Sequence, residues 1–362
     1  MRLALTAGGT GGHVMPALAV MEAVRARDPG VEVRFFGPED RGERQMVEAR
    51  GVGFDPVPSA AVRGRGPLRL VQSAWRIAVG VAVAIRQLRK FRPDVVFSTG
   101  GYASFPCSVA ARILRRPLVV YLPDVTPGWA VRAEQRLATR LATTTEAALA
   151  HLPRRKTTVT GYPVRAAFFV RTREQARAVH GIAPGERVLL VAGASQGARA
   201  INAAVFSALR SLVEVATVFH VTGAEEYDEA ARCESQLGGE LAKRYHPAAF
   251  RDDLPDVMLA ADLAVMRAGA STLGELTAAA LPAILIPGTF AGGHQRPNAE
   301  WLARPGAAVI LKERELGSFA ERVLELLADD ARLATMRTAA ESLARPDAAD
   351  RIAAIVCEVA KR

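Results

Sequence analysis

The segment LTAGGTGGHVMP (residues 5–16) sets one imidazole, His13, behind four glycines at the end of an apolar run. Bare N–H groups at a helix start, with the positive end of the helix dipole behind them, make a site for an anion. An imidazole at the same bend can take the proton from a hydroxyl nucleophile as it attacks. A histidine there can also cap or hydrogen-bond the helix end, and the residues alone leave both roles open. A second segment, VLLVAGASQGARAIN (188–202), repeats the order strand, glycine turn, helix and carries Ser195 and Gln196 in its turn. Neither turn fits G-x-G-x-x-G or ends in G-K-[ST], so NAD and P-loop ATP chemistry lose support.

Four other stretches fall at the same level of the pattern. They are FSTGGYASFP (97–106, with Tyr102), GYPVR (161–165, with Arg165), RAGASTLGEL (267–276, with Glu275) and PGTFAGGHQRPNAEWL (287–302, with His294, Gln295 and Asn298). Amide side chains both donate and accept, which is what reading sugar hydroxyls requires, and a carboxylate accepts from two neighbouring hydroxyls. Glu275 has a structural alternative, because Thr272-x-x-Glu275 is a capping box. Tyr102 is equally a packed aromatic beside glycines.

The elements that must position these residues are legible as short apolar runs ending in glycine and alternating with helical patterns. Strands are expected at Arg2–Thr6, Val31–Phe36, Val95–Ser98, Leu118–Tyr121, Val188–Ala192, Val218–Thr222, Leu263–Met266 and Ala283–Ile286, with Pro16 at a first helical position. The expected fold is α/β, two Rossmann-like domains with parallel sheets whose glycine turns lie at the carboxyl ends of strands, where such sheets bind ligands. A chain of 362 residues exceeds one core, and the division is expected at 1–165 and 166–362. The first part carries 25 Lys and Arg against 12 Asp and Glu, the second 22 against 25, so the whole basic excess lies in the first. A half-protein at +13 attracts anionic partners. Cys107, Cys233 and Cys357 are scattered without a C-x-x-C pair, which indicates reduced thiols and no zinc site. Met1 to Leu5 run directly into glycines, leaving no room for a signal peptide, and a cytosolic chain is expected.

Taken in this order, the motifs resemble the MurG family of bacterial glycosyltransferases (glycosyltransferase family 28). The resemblance runs from Gly8 to about Leu302. It implies a GT-B fold with two Rossmann-like domains facing across a cleft, the acceptor mainly on the first and the nucleotide sugar mainly on the second, and a last helix packing back on the first. It further implies a hexosyltransferase of peptidoglycan synthesis that moves N-acetylglucosamine (GlcNAc) from UDP-GlcNAc, with inversion, to the 4-hydroxyl of undecaprenyl-diphosphate-linked N-acetylmuramoyl-pentapeptide. By motif, Thr10, Gly11 and Gly12 face the transferring sugar and diphosphate, and His13 stands at the position of the base. Ser195 and Gln196 meet the diphosphate, Arg165 lies on the nucleotide side, Glu275 on the ribose, His294, Gln295 and Asn298 on the hexose, and Tyr102 in the acceptor cleft. Fixed dipoles can stabilise a leaving diphosphate without metal, so no cofactor and no metal site are expected.

Two departures stand out. The family typically reads H-E-Q-N where this chain has Tyr121, Leu122, Pro123 and Asp124, and it more often has Asn where Tyr162 stands. Asp124 alone keeps a comparable shape, which makes it a donor contact and a second candidate for the base. The altered segment leaves room for a different lipid or small-molecule acceptor, and the same architecture also serves UDP-GlcNAc 2-epimerases and non-catalytic nucleotide-binding modules. A lipid acceptor requires a membrane surface. In PLRLVQSAWRIAVGVAVAIRQLRKFRP (67–93) an apolar centre too short to span a bilayer is flanked by Arg69, Arg76, Arg86, Arg89, Lys90 and Arg92, with Leu68, Trp75 and Val79 on one side. That pattern suits either a peripheral contact with anionic lipid on the cytoplasmic face or a crossover helix buried on the sheet. Nucleic acid is not an expected partner, because the basic residues are not interleaved with stacking aromatics.

Overall fold

The computed structural model describes all residues except 9–10, 40–42, 61–66, 194–196, 289–292 and 362, and the side chains of residue 11 and residues 67–70 are likewise not described. The chain forms two compact units, Met1–Arg165 with Pro346–Arg362, and Ala166–Arg345.

In the first unit the strands are β1 (Arg2–Thr6), β2 (Glu32–Gly37), β3 (Gly53–Pro56), β4 (Val95–Ser98), β5 (Leu118–Leu122), β6 (Arg140–Thr143) and β7 (Thr157–Val159), all parallel in the order β3-β2-β1-β4-β5-β6-β7. Its helices are α1 (Gly11–Arg27), α2 (Glu43–Glu48), α3 (Pro67–Phe91), α4 (Phe105–Ile113) and α5 (Trp129–Leu137). The second unit carries β8 (Val188–Ala192), β9 (Thr217–Val221), β10 (Tyr245–Ala248), β11 (Leu263–Met266), β12 (Ala283–Leu285) and β13 (Ala308–Ile310), in the parallel order β10-β9-β8-β11-β12-β13. Around that sheet run α6 (Arg173–Val179), α7 (Arg199–Val215), α8 (Tyr227–Leu237), α9 (Gly239–Ala242), α10 (Leu254–Ala260), α11 (Thr272–Ala278), α12 (Gln295–Ala303), α13 (Phe319–Ala328) and α14 (Asp330–Ser342). The last helix, α15 (Ala348–Ala360), buries Ile352, Val356 and Val359 and packs on α1 and on β4 to β6 of the first unit, with Arg27–Asp350 at 3.8 Å beside it.

Central strands such as β1, β4, β5, β8 and β11 are almost wholly buried because helices cover both faces of a parallel sheet, and they read as continuous apolar runs. The strands that patterning did not reveal are β3, β7, β10 and β13, which form the four sheet edges, and β6 next to one of them. All are three or four residues long, and the edge strands are mostly half-exposed, so tertiary pairing rather than a hydrophobic run defines them. Pro16 is not at a first helical position: α1 begins at Gly11 and the proline lies inside it.

Two devices hold the ligand end of the first sheet. A methyl group on Gly101 would lie 2.6 Å from the Gly8 Cα, and one on Gly8 would lie 2.8 Å from the Gly100 carbonyl oxygen, so the turns after β1 and β4 meet backbone to backbone. Gly101 also sits at φ +95°, a conformation that disfavours any side chain. Beneath the second of these turns the fully buried Glu134 of α5 accepts hydroxyls from Ser104 and Ser108 of the α4 region, each at 2.8 Å, and from Ser98 at 3.4 Å. Ser98 in turn accepts the Gly100 N–H at 3.1 Å. Burial pushes the Glu134 carboxyl up to about 7 against the pull of the three hydroxyls.

Gly101→Ala should therefore cost about 1–3 kcal/mol of stability, read by urea unfolding, since neither backbone can yield without moving a strand end. Between pH 4.5 and about 7 the folded chain keeps a proton on Glu134 that the unfolded chain releases. Its stabilising contribution is complete below that window and lost as pH rises through it. Glu134→Gln retains the acceptor oxygen without the titration. Its unfolding free energy in urea should gain on the wild type as pH rises from about 5 to 8, toward a difference on the order of 3 kcal/mol, whereas a gap that stays constant would refute the assignment.

Candidate active site

In the first unit, His13 stands in the opening turn of α1, half-buried, and is tied to the residue that follows β4 by a reciprocal pair of hydrogen bonds. Its Nδ1 lies 3.0 Å from the Thr99 carbonyl oxygen, and the Thr99 hydroxyl donates to the His13 carbonyl at 2.8 Å. A carbonyl only accepts, so Nδ1 carries the hydrogen and the lone pair of the neutral ring is on Nε2. Gly12 is half-buried, and its carbonyl accepts the Tyr162 hydroxyl at 3.2 Å. Tyr102 is half-buried in the turn between Gly101 and α4, and Arg165 is half-buried at the end of GYPVR. Thr10 lies outside the described residues, as does any account of Gly11 beyond its place at the start of α1.

The segment that departs from the family pattern is mostly interior. Tyr121 and Leu122 end β5 and, with Pro123, are buried, whereas Asp124 is half-buried. The Tyr121 hydroxyl meets the Thr144 Oγ1 at 2.6 Å and donates to the Gly161 carbonyl at 3.3 Å. Its ring stands edge-on to Tyr162, with centroids 6.3 Å apart. The two unusual tyrosines therefore touch, and of the four altered positions Asp124 is the one with exposed surface. Thr99, which orients His13, carried no signal in the sequence beyond its place one residue past a strand.

In the second unit, Gly193 and Gly197 bracket the turn after β8. A methyl on Gly193 would collide with the backbone of Ala198, and one on Gly197, at φ +76°, with the Thr222 carbonyl. Ser195 and Gln196 lie between them, outside the described residues. The helix that follows is anchored from below. Asn202 of α7 donates to the Thr222 carbonyl at 2.9 Å and to Glu226, and its Oδ1 is 3.1 Å from His220 Nε2, while His220 Nδ1 is 2.8 Å from the Tyr245 hydroxyl. Burial drives His220 down to about 3, so it is neutral, a structural histidine with both nitrogens engaged.

Two hydrogen bonds tie positions of the HQRPNA segment to neighbouring turns. Asn298 is fully buried and donates to the Ala268 carbonyl at 3.2 Å, joining α12 to the turn after β11. Gln295 accepts the Gly288 N–H at 2.8 Å. His294 precedes α12 and is half-buried. Arg267, 7% exposed, bonds the Ile286 carbonyl at 3.2 Å and Glu313 at 3.0 Å, tying the carboxyl ends of β11 and β12 together; sequence reasoning passed over it. The capping box at Thr272 is not formed: Ser271 precedes α11, and the Thr272 hydroxyl donates to Gly269 instead at 2.5 Å. Glu275 is thus half-buried in the first turn of α11 without that capping duty. Phe250, 64% exposed just past β10, was also passed over; an exposed aromatic at a strand's carboxyl end is a surface on which a planar base can stack. Among the described residues no three His, Cys, Asp or Glu side chains group as metal ligands.

The glycosyltransferase family 28 N-terminal domain matches residues 3–143, and the glycosyltransferase family 28 C-terminal domain matches residues 188–352. Two curated relatives are named UDP-N-acetylglucosamine--N-acetylmuramyl-(pentapeptide) pyrophosphoryl-undecaprenol N-acetylglucosamine transferase. The one from Nitratidesulfovibrio vulgaris is 38% identical over 354 residues, covering 96% of this chain and 94% of its own. The one from Desulforudis audaxviator is 37% identical and covers 99% of both. In fold, the chain is similar to the crystal structure of Acinetobacter baumannii MurG, with a TM-score of 0.76 and 24% identity over 99% of each chain. It is also similar in fold to the UDP-GlcNAc 2-epimerase from Neisseria meningitidis bound to UDP-GlcNAc, with a TM-score of 0.68 and 15% identity over 99% of this chain and 100% of that one. With two parallel α/β units of the GT-B class and sequence similarity along nearly its whole length, the chain belongs to the MurG family of glycosyltransferases, family 28.

Proposed function

We propose that the protein transfers GlcNAc from UDP-GlcNAc to the 4-hydroxyl of the N-acetylmuramoyl-pentapeptide carried on undecaprenyl diphosphate, the lipid I to lipid II step of peptidoglycan synthesis. The substrates come from the shared name of its full-length relatives. The observation that carries the chemistry is the orientation of His13, whose Nδ1 is occupied by the Thr99 carbonyl. Its Nε2 is then the nitrogen that accepts a proton. The acceptor oxygen attacks the anomeric carbon, the bond from that carbon to the UDP phosphate oxygen breaks with inversion, and the hydroxyl proton passes to Nε2. The departing charge falls on UDP, which the N–H groups of the 193–197 turn and the start of α7 stabilise as fixed dipoles. Gly11 and Gly12, with Thr10, line the sugar side. Arg165, Ser195, Gln196, Glu275, His294 and Gln295 contact the donor, and Asn298 serves it from below by holding the turn after β11. Tyr102 faces the acceptor, and Asp124 contacts the donor as a second candidate for the base.

The acceptor is lipid-linked, and α3 supports a peripheral membrane contact. Ser73, Gly80, Ala84 and Leu88 are buried in the unit, and a methyl on Gly80 would strike the Pro58 carbonyl. The opposite side shows Val71 at 71%, Trp75 at 70% and Val79 at 37% exposure, one helical stripe, with Arg76, Arg86, Arg89 and Lys90 exposed on the same helix. The helix packs on its unit through one face and leaves the other open to solvent; Leu68 and Arg69 lie outside the described side chains. No helix among the described residues is long and apolar enough to cross a membrane. A short apolar stripe in a cationic frame suits docking to anionic lipid on the cytoplasmic face.

Labelled GlcNAc should pass from UDP-GlcNAc to muramoyl-pentapeptide polyprenyl diphosphate and release UDP only when that acceptor is present. His13→Ala should lower kcat by about 10²–10⁴ while UDP-GlcNAc binding by calorimetry stays near wild type; turnover at the wild-type rate would remove the base assignment. Arg76→Glu, Arg86→Glu and Lys90→Glu together should weaken cosedimentation with phosphatidylglycerol vesicles by at least tenfold, each charge near the surface contributing about 1 kcal/mol. Unchanged cosedimentation would discard this face.

A further inference from the structure

Pro16 leaves the opening turn of α1 short of a donor. In a regular helix the Gly12 carbonyl receives the N–H of residue 16, and proline has none. The Tyr162 hydroxyl donates to that same carbonyl at 3.2 Å, from a point 150 residues away in sequence. The ring that presents it is 5% exposed and set edge-on against Tyr121. Tyr121 is itself fixed at its far end, through Thr144 at 2.6 Å and the Gly161 carbonyl at 3.3 Å. Gly161, at φ +92°, turns the chain so that Tyr162 points back toward α1. The next carbonyl of the turn, that of His13, receives a hydroxyl from Thr99 at 2.8 Å. Two successive carbonyls are therefore met by side chains from other elements.

We propose that Tyr162 is a positioning residue of the transfer reaction, its hydroxyl standing in for the N–H that Pro16 lacks and fixing the peptide plane on which His13 is mounted. The Gly12 carbonyl and the His13 nitrogen share one rigid peptide unit, so the tilt of that carbonyl sets the backbone angle from which the imidazole projects. A proline ring pushes the carbonyl four residues back away from the helix axis, and a donor at a fixed point decides how far it leans. Tyr121 belongs to the device as the wall that holds the Tyr162 ring. This accounts for Tyr121 facing inward. The proposal rests on the reading of His13 as base.

The test uses the full-length enzyme with both substrates. Tyr162→Phe keeps the ring and deletes the donor; kcat should fall about three- to tenfold, the worth of one hydrogen bond, with the KM for UDP-GlcNAc within twofold. Pro16→Ala restores an N–H at residue 16 and gives the Gly12 carbonyl a donor that does not depend on Tyr162. In the double variant kcat should return to within twofold of Pro16→Ala alone. The proposal is overturned if Tyr162→Phe leaves kcat unchanged, if only the thermal midpoint falls, or if the double variant is as slow as Tyr162→Phe. His13→Ala run beside them separates the two ideas. Wild-type turnover there defeats the base assignment and with it the reason for positioning, whereas loss there with an unaffected Tyr162→Phe defeats the positioning alone.

Discussion

The first unit depends on a contact between two pieces of backbone that carry no side chains. Gly8 and Gly101 approach so closely that a methyl group on either would lie within 2.8 Å of the other turn. This contact brings the residue after β4 against the residue that opens α1, so Thr99 and His13 can exchange two hydrogen bonds. The geometry of the imidazole is thus a consequence of an omission. Of the glycines in LTAGGTGGHVMP, Gly8 is required by close approach.

Each unit places a closed polar network beneath its ligand end. In the first, Glu134 gathers three serine hydroxyls from β4 and α4. In the second, Tyr245, His220, Asn202 and Glu226 run from an edge strand to the helix that follows the turn after β8. Buried polar groups are costly unless every member is satisfied, and a satisfied network permits little movement of the elements it joins. Arg267 and Asn298 extend the same principle to the turns after β11 and β12.

Helix α3 divides its labour by face. Small residues at 73, 80 and 84 let it lie close on the unit, Gly80 against the Pro58 backbone, while Val71, Trp75 and Val79 remain exposed beside cations. A bilayer surface asks for a modest apolar stripe framed by positive charge, whereas the packing side asks for small and apolar residues without charge, as at Ala84 and Leu88. One amphipathic helix can meet both demands because 3.6 residues per turn keep the two sets apart.

The central strands were legible in the amino-acid sequence, since a strand covered on both faces must be apolar throughout and ends where glycine permits the turn. The glycine turns, the place of His13 at a helix start and the charge asymmetry were legible because residue type and spacing carry them, whereas the spacing of Glu275 pointed to a capping box and only the family resemblance singled it out for a ligand. What only the tertiary structure decided concerns partners distant in the chain. Edge strands β3, β7, β10 and β13 exist because a neighbour pairs with them. Nothing in the sequence marks Glu134 as the buried acid that three serines close round, and Thr272 resembled a cap until Ser271 took the position before α11. Tyr162 meets Gly12 across 150 residues, and a hydrogen bond at that separation leaves no periodicity for a sequence to display. Local propensity is written along the chain, while the satisfaction of buried donors and acceptors is settled only when distant segments meet.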